Sequence, residues 1–220
     1  MYKDGTEVIL SKKRSVVAIR PSANTYRSEQ RPTFVVSVLN TTDRPITFST
    51  ENIVASVGGA PLKVFTYEEL VAEVESQRTW AVIGAALSGA AASMNAAQAG
   101  NRYTYGTYNT NYYGSRGYYG SGFGTYSAHT YDSGAAAQAQ AAANAQTTLN
   151  LQNISASAET ALSGLSRTIL KKETIMPNGW HGGYVRIQKP PVPERANTVS
   201  ITVVLDGEDH YFQFQQTRLK

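Results

Sequence analysis

Residues 79–99 read Thr79-Trp80-Ala81-Val82-Ile83-Gly84-Ala85-Ala86-Leu87-Ser88-Gly89-Ala90-Ala91-Ala92-Ser93-Met94-Asn95-Ala96-Ala97-Gln98-Ala99, without one formal charge or proline. Alanine is the strongest helix former, so the run predicts a helix. The start lies upstream at Thr66-Tyr67-Glu68-Glu69. This is a capping box: the Thr66 hydroxyl takes a free amide and Glu69 reaches back. The helix is expected from about Tyr67 to about Ala99. A second Ala-rich run predicts another helix from about Ala135 to about Lys172, ending before Pro177. At 1.5 Å per residue each spans roughly 50 Å, and near-equal lengths suit an antiparallel hairpin.

Charge is segregated along the chain. The 220 residues hold 20 Lys and Arg and 16 Asp and Glu, yet from Thr79 through Ala158 the charged side chains are Arg102, Arg116 and Asp132. A solvated hairpin would normally carry many Glu–Lys pairs. Small residues replace them, and Ala81, Gly84, Ala85, Ser88, Gly89 and Ala92 are the candidates for helix packing or oligomer contact. Gly84, Ser88 and Ala92 fall at i, i+4 and i+8, one helix face expected to meet another helix. Nearer the base, Leu70, Val71, Val74, Trp80, Ile83 and Leu87 are expected to meet Leu149, Leu151, Ile154, Leu162, Leu165 and Ile169. The distal half has little to bury, since a buried methylene contributes about 0.8 kcal/mol and Ala offers one methyl. Its stability is therefore expected from neighbours: other copies, a partner or a bilayer, where small residues permit close helix approach. The competing expectation is a solvent-exposed Ala/Gln hairpin with a flexible tip.

The membrane version has specific content. Trp80 to Ala99 is about the twenty residues that cross a hydrocarbon core. Trp80 would sit at one interface and the Tyr-rich segment at the other. The second helix is too polar for lipid and would line a wet lumen within a ring.

Outward from the helices, both flanks read as strands. Val8–Leu10, Val16–Ile19, Thr33–Asn40, Ile46–Phe48 and Ile53–Val57 precede them. Tyr184–Ile187, Val199–Leu205 and His210–Phe214 follow, with breakers at Pro190, Pro191 and Pro193. Asp206-Gly207 between alternating apolar runs signals a tight hairpin. The first flank has too few strands to close two sheets alone. The expectation is α+β: an immunoglobulin-like antiparallel β-sandwich from residues 1–65 and 183–220, with a long antiparallel helical hairpin inserted at 66–182.

The hairpin tip, 101–133, holds nine of the fourteen tyrosines, many glycines and Phe123. It is too long for an ordinary loop, so it is expected to be functional or disordered. Tyr103, Tyr105, Tyr108, Tyr112, Tyr113, Tyr118, Tyr119, Phe123, Tyr126 and Tyr131, with Trp80, are the candidates for membrane-interface or ligand contact. Self-association or surface adhesion ranks first for this tract and glycan contact second. Nucleic acid ranks last, because Arg102 and Arg116 are too few for RNA stacking and the formal charge is only +4.

Catalytic patterns are weak. There is no cysteine, so disulfides and thiolate metal sites are excluded. His129, His181 and His210 lack metal-ligand spacing. His210 beside Asp209 has no serine in a nucleophile elbow, and Gly120-Ser121-Gly122-Phe123-Gly124 lacks the strand and Gly-Lys-Ser/Thr of a phosphate loop. No cofactor or metal and no enzymatic activity are expected.

Pro61-Leu62-Lys63-Val64-Phe65-Thr66-Tyr67-Glu68-Glu69-Leu70 leads into the Ala/Gly helix, and Gly207-Glu208-Asp209-His210-Tyr211-Phe212-Gln213-Phe214 closes the chain. With these segments the chain resembles a loose group of uncharacterised bacterial cell-envelope proteins, often lipoproteins, with an immunoglobulin-like sandwich. Gly84-Ala85-Ala86-Leu87-Ser88-Gly89 is similar to their glycine-zipper segments. The resemblance implies export to the periplasm or outer membrane of a Gram-negative bacterium, and a homo-oligomer or envelope complex as partner. No apolar leader follows Met1, so the expectation is either a cytosolic protein or, the reading favoured by the resemblance, an already processed form.

Overall fold

The computed structural model describes residues 2–3, 6–23, 25–27, 30–117, 119–190 and 196–219. Tyr118 and the breakers Pro191 and Pro193 lie outside the described residues. In chain order the strands are β1 (Tyr2–Lys3), β2 (Thr6–Glu7), β3 (Ile9–Lys12), β4 (Ser15–Pro21), β5 (Thr25–Arg27), β6 (Thr33–Asn40), β7 (Ile46–Phe48), β8 (Ile53–Val57) and β9 (Ala60–Leu62). Then come α1 (Tyr67–Gln98), β10 (Asn101–Tyr113), β11 (Tyr119–Tyr131) and α2 (Ser133–Thr168). The chain closes with β12 (Glu173–Ile175), β13 (Trp180–Arg186), β14 (Ala196–Leu205) and β15 (Glu208–Leu219). It divides into two compact units, Met1–Glu75 with Glu159–Lys220, and Ser76–Ala158.

In the first unit, a four-stranded sheet runs β13-β6-β4-β3 and a five-stranded sheet runs β5-β15-β14-β8-β9. Side chains alternate across a strand, so every second residue points inward. Val17 and Ile19, Phe34, Val36 and Val38, Ile53 and Ala55, Val199, Ile201, Val203 and Leu205, and Phe212 and Phe214 meet in one core drawn from both sheets. Strands from the two chain ends interleave: β6 pairs with β13, and β8 pairs with β14. Neither flank can close a core without the other. The β14–β15 turn has Asp206 at φ 49° and Gly207 at φ 77°, the left-handed pair that matches strand twist in a two-residue hairpin.

Some elements depart from the sequence expectation. β15 pairs with β5 in parallel, and the short strands β9 and β12 carried no clear apolar alternation. α2 stops at Thr168 rather than near Lys172. There the Leu170 amide donates to the Tyr184 carbonyl at 3.0 Å and Ile169 bridges to Tyr184, so the backbone is drawn into the sheet. Gly183 permits this approach, because a Cβ on it would lie 2.7 Å from the Leu170 nitrogen.

The ends of both helices are anchored in this unit. The Glu69 amide donates to the Thr66 hydroxyl at 3.2 Å and the Thr66 amide to the Glu69 carboxylate at 3.1 Å, completing the box. Lys63 first, then the Thr66 amide, hold the Glu69 carboxyl below its ordinary range. Leu70, Leu165 and Ile169 form a second small core with Val71 and Val74. Arg31 forks onto Glu73 at 2.6 and 3.1 Å and covers the Phe65 ring at 4.1 Å.

In the second unit α1 and α2 pack as a helical hairpin, and β10 and β11 form a two-stranded antiparallel ribbon. The low-complexity tract therefore has regular structure: Tyr and Thr suit a pleated surface, and thirteen residue pairs stay in unbroken register.

Candidate assembly surface

The contact between α1 and α2 in the second unit uses the smallest residues available. Ala85, Gly89, Ala92 and Ala96 recur every three or four residues and share one face of α1. A Cβ on Gly89 would lie 2.6 Å from the Thr147 hydroxyl, so glycine is what lets the backbones approach. Further along, the Gln140 side-chain amide donates to the Ser93 hydroxyl at 2.8 Å. At the distal end a Cβ on Gly100 would lie 2.6 Å from the Asp132 carbonyl and 3.1 Å from Ala136.

Of the small residues singled out from sequence, Ala85, Gly89 and Ala92 are half-buried, whereas Ala81, Gly84 and Ser88 are exposed. Gly84 has nothing within 4 Å of a Cβ position, and the Ser88 hydroxyl donates to the Gly84 carbonyl of its own helix. Among the described residues, the Gly84/Ser88 flank therefore meets no other helix. Trp80, Ile83 and Leu87 were expected to meet α2 but are 69%, 42% and 68% exposed. With Met94, at 70%, they form a stripe. At about 100° per residue it points almost directly away from the Ala85/Gly89/Ala92/Ala96 face. The reason is competition for one seam: alanine and glycine give the closest backbone approach, and the bulky residues are rotated outward. α1 is long and apolar enough to cross a membrane, and almost none of its apolar window is buried.

The helix register aligns the charge-free stretches. Gly89 lies against Thr147 and Gly100 against Ala136. Eleven residues back from Gly89 and eleven onward from Thr147 set Arg78 level with Ala158, next to Glu159 in sequence. At the other end Arg102 pairs with Asp132 at 3.2 Å. Asp132 also accepts the Ala135 amide at 3.0 Å and so caps α2. That amide first, then Arg102, keep its carboxyl below the usual range. Between these levels lies a band about 33 Å tall with no formal charge. The exposed side of α2 across the band is mostly polar: Asn144, Gln146, Thr148, Asn150, Gln152 and Asn153 lie on it, Gln146 bonds Asn150, and Leu149 is its large apolar side chain.

In the ribbon, paired residues share a face. Tyr103, Tyr105, Tyr113, Tyr119, Phe123 and Tyr131 lie on one face, and Tyr108, Tyr112 and Tyr126 on the other. All are exposed. Each of the latter three lies over a glycine directly across the ribbon: Tyr108 over Gly124, Tyr112 over Gly120, and Tyr126 over Gly106. A Cβ at any of these glycines would lie 2.2–2.4 Å from the nearest ring atom, so the Tyr ring packs where only glycine leaves room. Tyr103 packs tilted against His129 at 4.7 Å, and Tyr113 meets Tyr119 edge-on at 4.9 Å. This pairing is written in the tract as a mirror of Tyr and Gly about residue 116, a signal the compositional reading passed over. The seam partners Gln140, Thr147 and Ala136 were likewise missed, since alanine supplies no amphipathic contrast.

Of the histidines, His129 contacts Asn101 at 3.2 Å, and His181 contacts Glu173 at 2.9 Å. His210 is buried in the core of the first unit, with Nδ1 at 2.9 Å from the Ser11 hydroxyl and Nε2 without a partner. Burial first, then Lys13, pull its pKa below the ordinary value, against the opposing pull of Glu208 and Asp209. The folded state therefore resists protonation that the unfolded chain accepts. Stability is full above about pH 6.5 and is lost as pH falls from there toward the lowered folded value. Urea midpoints at pH 7.5 and 5.5 should show this loss, and the difference should shrink in His210→Leu. Among the described residues no group of three or more His, Asp or Glu is placed to hold a metal. Comparison with protein-family models, curated proteins and solved structures finds no match to this chain.

Proposed function

We propose that the chain is a non-enzymatic assembly protein of the bacterial cell envelope that oligomerises through its helical hairpin and inserts it in a membrane as a multi-subunit ring or pore. The observation that carries this reading is the charge-free band of the helix pair. Its height of about 33 Å matches the roughly 30 Å hydrocarbon core. Its two sides differ as a ring requires: the Trp80/Ile83/Leu87/Met94 stripe suits lipid, and the Gln/Asn/Thr side of α2 suits a wet lumen. The exposed flank of Ala81, Gly84 and Ser88 is left for a neighbouring copy. Burying each stripe residue contributes roughly 1.5–3 kcal/mol, which offsets the cost of ordering the hairpin. The first unit is read as an immunoglobulin-like sandwich. Two sheets sharing one core support that reading, and the parallel β5–β15 pair departs from the usual pattern.

The test uses the two tryptophans, Trp80 and Trp180. In a Trp180→Phe background, Trp80 emission should shift to the blue and be quenched by brominated acyl chains on mixing with vesicles. The protein should float with them and release an entrapped dye. Unchanged emission with all protein left in the aqueous fraction would overturn the membrane reading.

A second reading, adhesion to a glycan or surface polymer, is favoured by the exposed rings of the ribbon. A concavity of about 460 Å³ lined by Tyr105, Thr107, Thr125 and Tyr126 is large enough for a sugar ring. It predicts a monomer whose tyrosine fluorescence responds to polysaccharide.

A further inference from the structure

We propose that the free edges of the β10–β11 ribbon pair with further copies of this chain, β11 of one copy docking antiparallel on β10 of the next. The ribbons of an assembly then fuse into one continuous sheet. In the described structure β10 and β11 pair only with each other. Each is thirteen residues long, so about every second residue presents an unpaired N–H and C=O outward. Soluble proteins blunt such edges with lysine, proline or bulges. From Tyr103 to Tyr113 and from Tyr119 to Tyr131 this ribbon has no charged residue and no proline. The unbroken register leaves no bulge. A lone two-stranded ribbon is marginal in water, so a third and fourth strand would add most of its stability.

The occupant follows from charge and chemistry. Arg102 is matched by Asp132, and Arg116 sits in the turn, so identical edges meet without like-charge repulsion. The middle of the ribbon carries Thr107, Asn109, Asn111, Ser121, Thr125 and Ser127, too polar to face lipid. Copies aligned by the membrane band all run the same way. Since β10 and β11 run oppositely within each copy, neighbouring edges meet antiparallel only as β11 on β10. A two-fold β11–β11 contact would require inverted copies. An edge about 44 Å long buries on the order of 900 Å² in total, below the 1,200 Å² or more of stable interfaces. The ribbon contact thus rests on the helix-mediated assembly proposed above.

Two lysine pairs test it. Ser121→Lys with Thr125→Lys blocks the β11 edge, and Thr107→Lys with Asn111→Lys blocks the β10 edge; all four side chains are exposed. On vesicles the wild-type protein should form large particles. Its ribbon amides should exchange on the order of tenfold more slowly than in dilute monomer. Each blocked variant should still shift Trp80 emission and form particles through its helices, but its ribbon amides should exchange as fast as in the monomer. A one-to-one mixture of the two should recover part of the protection, through the one edge each leaves open. Blocked variants whose ribbon amides stay as protected as in wild type, or wild-type particles whose ribbon amides exchange as in the monomer, would overturn the ribbon pairing and leave the helix reading standing. Wild-type protein that neither partitions nor forms particles would overturn both.

Discussion

Leu87→Lys should abolish vesicle partition and dye release while leaving thermal unfolding of the protein in buffer nearly unchanged. Leu87 is exposed on the side of α1 turned away from α2, and it lies close to mid-height between Arg78 and Gly100. A lysine at the centre of a spanning helix costs about 2.5–3.5 kcal/mol on insertion scales. Losing the leucine adds roughly 1.5–3 kcal/mol. Together these exceed a hundredfold in partition for each copy, and a ring repeats the penalty in every subunit. In water, lysine is about as good a helix former as leucine, so the hairpin itself is spared. Flotation and calorimetry on the same preparation separate the two effects. A Leu87→Lys protein that floats as well as wild type would remove the stripe from the membrane, and one that melts far lower would place Leu87 in a packed contact.

Gly89→Leu should act oppositely, loosening residues 76–158 in solution. A Cβ there meets the Thr147 hydroxyl at 2.6 Å and its methyl at 2.8 Å. Thr147 cannot swing aside freely, because its hydroxyl donates to the Ala143 carbonyl at 2.9 Å. The helices must separate, and overpacking of this kind costs about 1–3 kcal/mol. Separation also breaks the Ser93–Gln140 hydrogen bond, worth about 1 kcal/mol. The roughly three turns of small residues from Ala85 to Ala96 hold little else in reserve. Gly84→Leu is the matched control: nothing lies within 4 Å, and replacing an exposed helical glycine stabilises by up to about 1 kcal/mol. Amide exchange across residues 79–98 and 133–158 should therefore quicken in Gly89→Leu and slow in Gly84→Leu. Thr147→Ala should rescue part of the first effect. Equal exchange in the two glycine variants would show that the seam is not where Gly89 and Thr147 place it.

Both helices, their near-equal lengths and the cap at Thr66 were legible because alanine propensity and the capping box are local. So were most strands, since runs rich in Val, Ile and Phe mark β4, β6 and β14. The ribbon was harder to read. Tyr, Thr and Gly alternate without a hydrophobic face, and strand order there depends on residues such as Tyr108 and Gly124 meeting across the turn. The parallel β5–β15 pair had no local signal at all.

The sequence by itself determined the two helices and the start of the first, the sharing of one core by the two flanks, and the near-absence of charge between Thr79 and Ala158, where Arg102, Arg116 and Asp132 are the charged residues. These follow from residue-level propensities and from how much apolar surface each segment must hide. Only the tertiary structure decided which face of α1 is spent inside the chain. Gly89 takes the seam because a Cβ there would lie 2.6 Å from the Thr147 hydroxyl, a space that only glycine leaves open. That choice turns Trp80, Leu87 and Met94 outward. It also brings the two charge-free stretches level, a coincidence set by the register of one helix on the other and invisible in either helix alone.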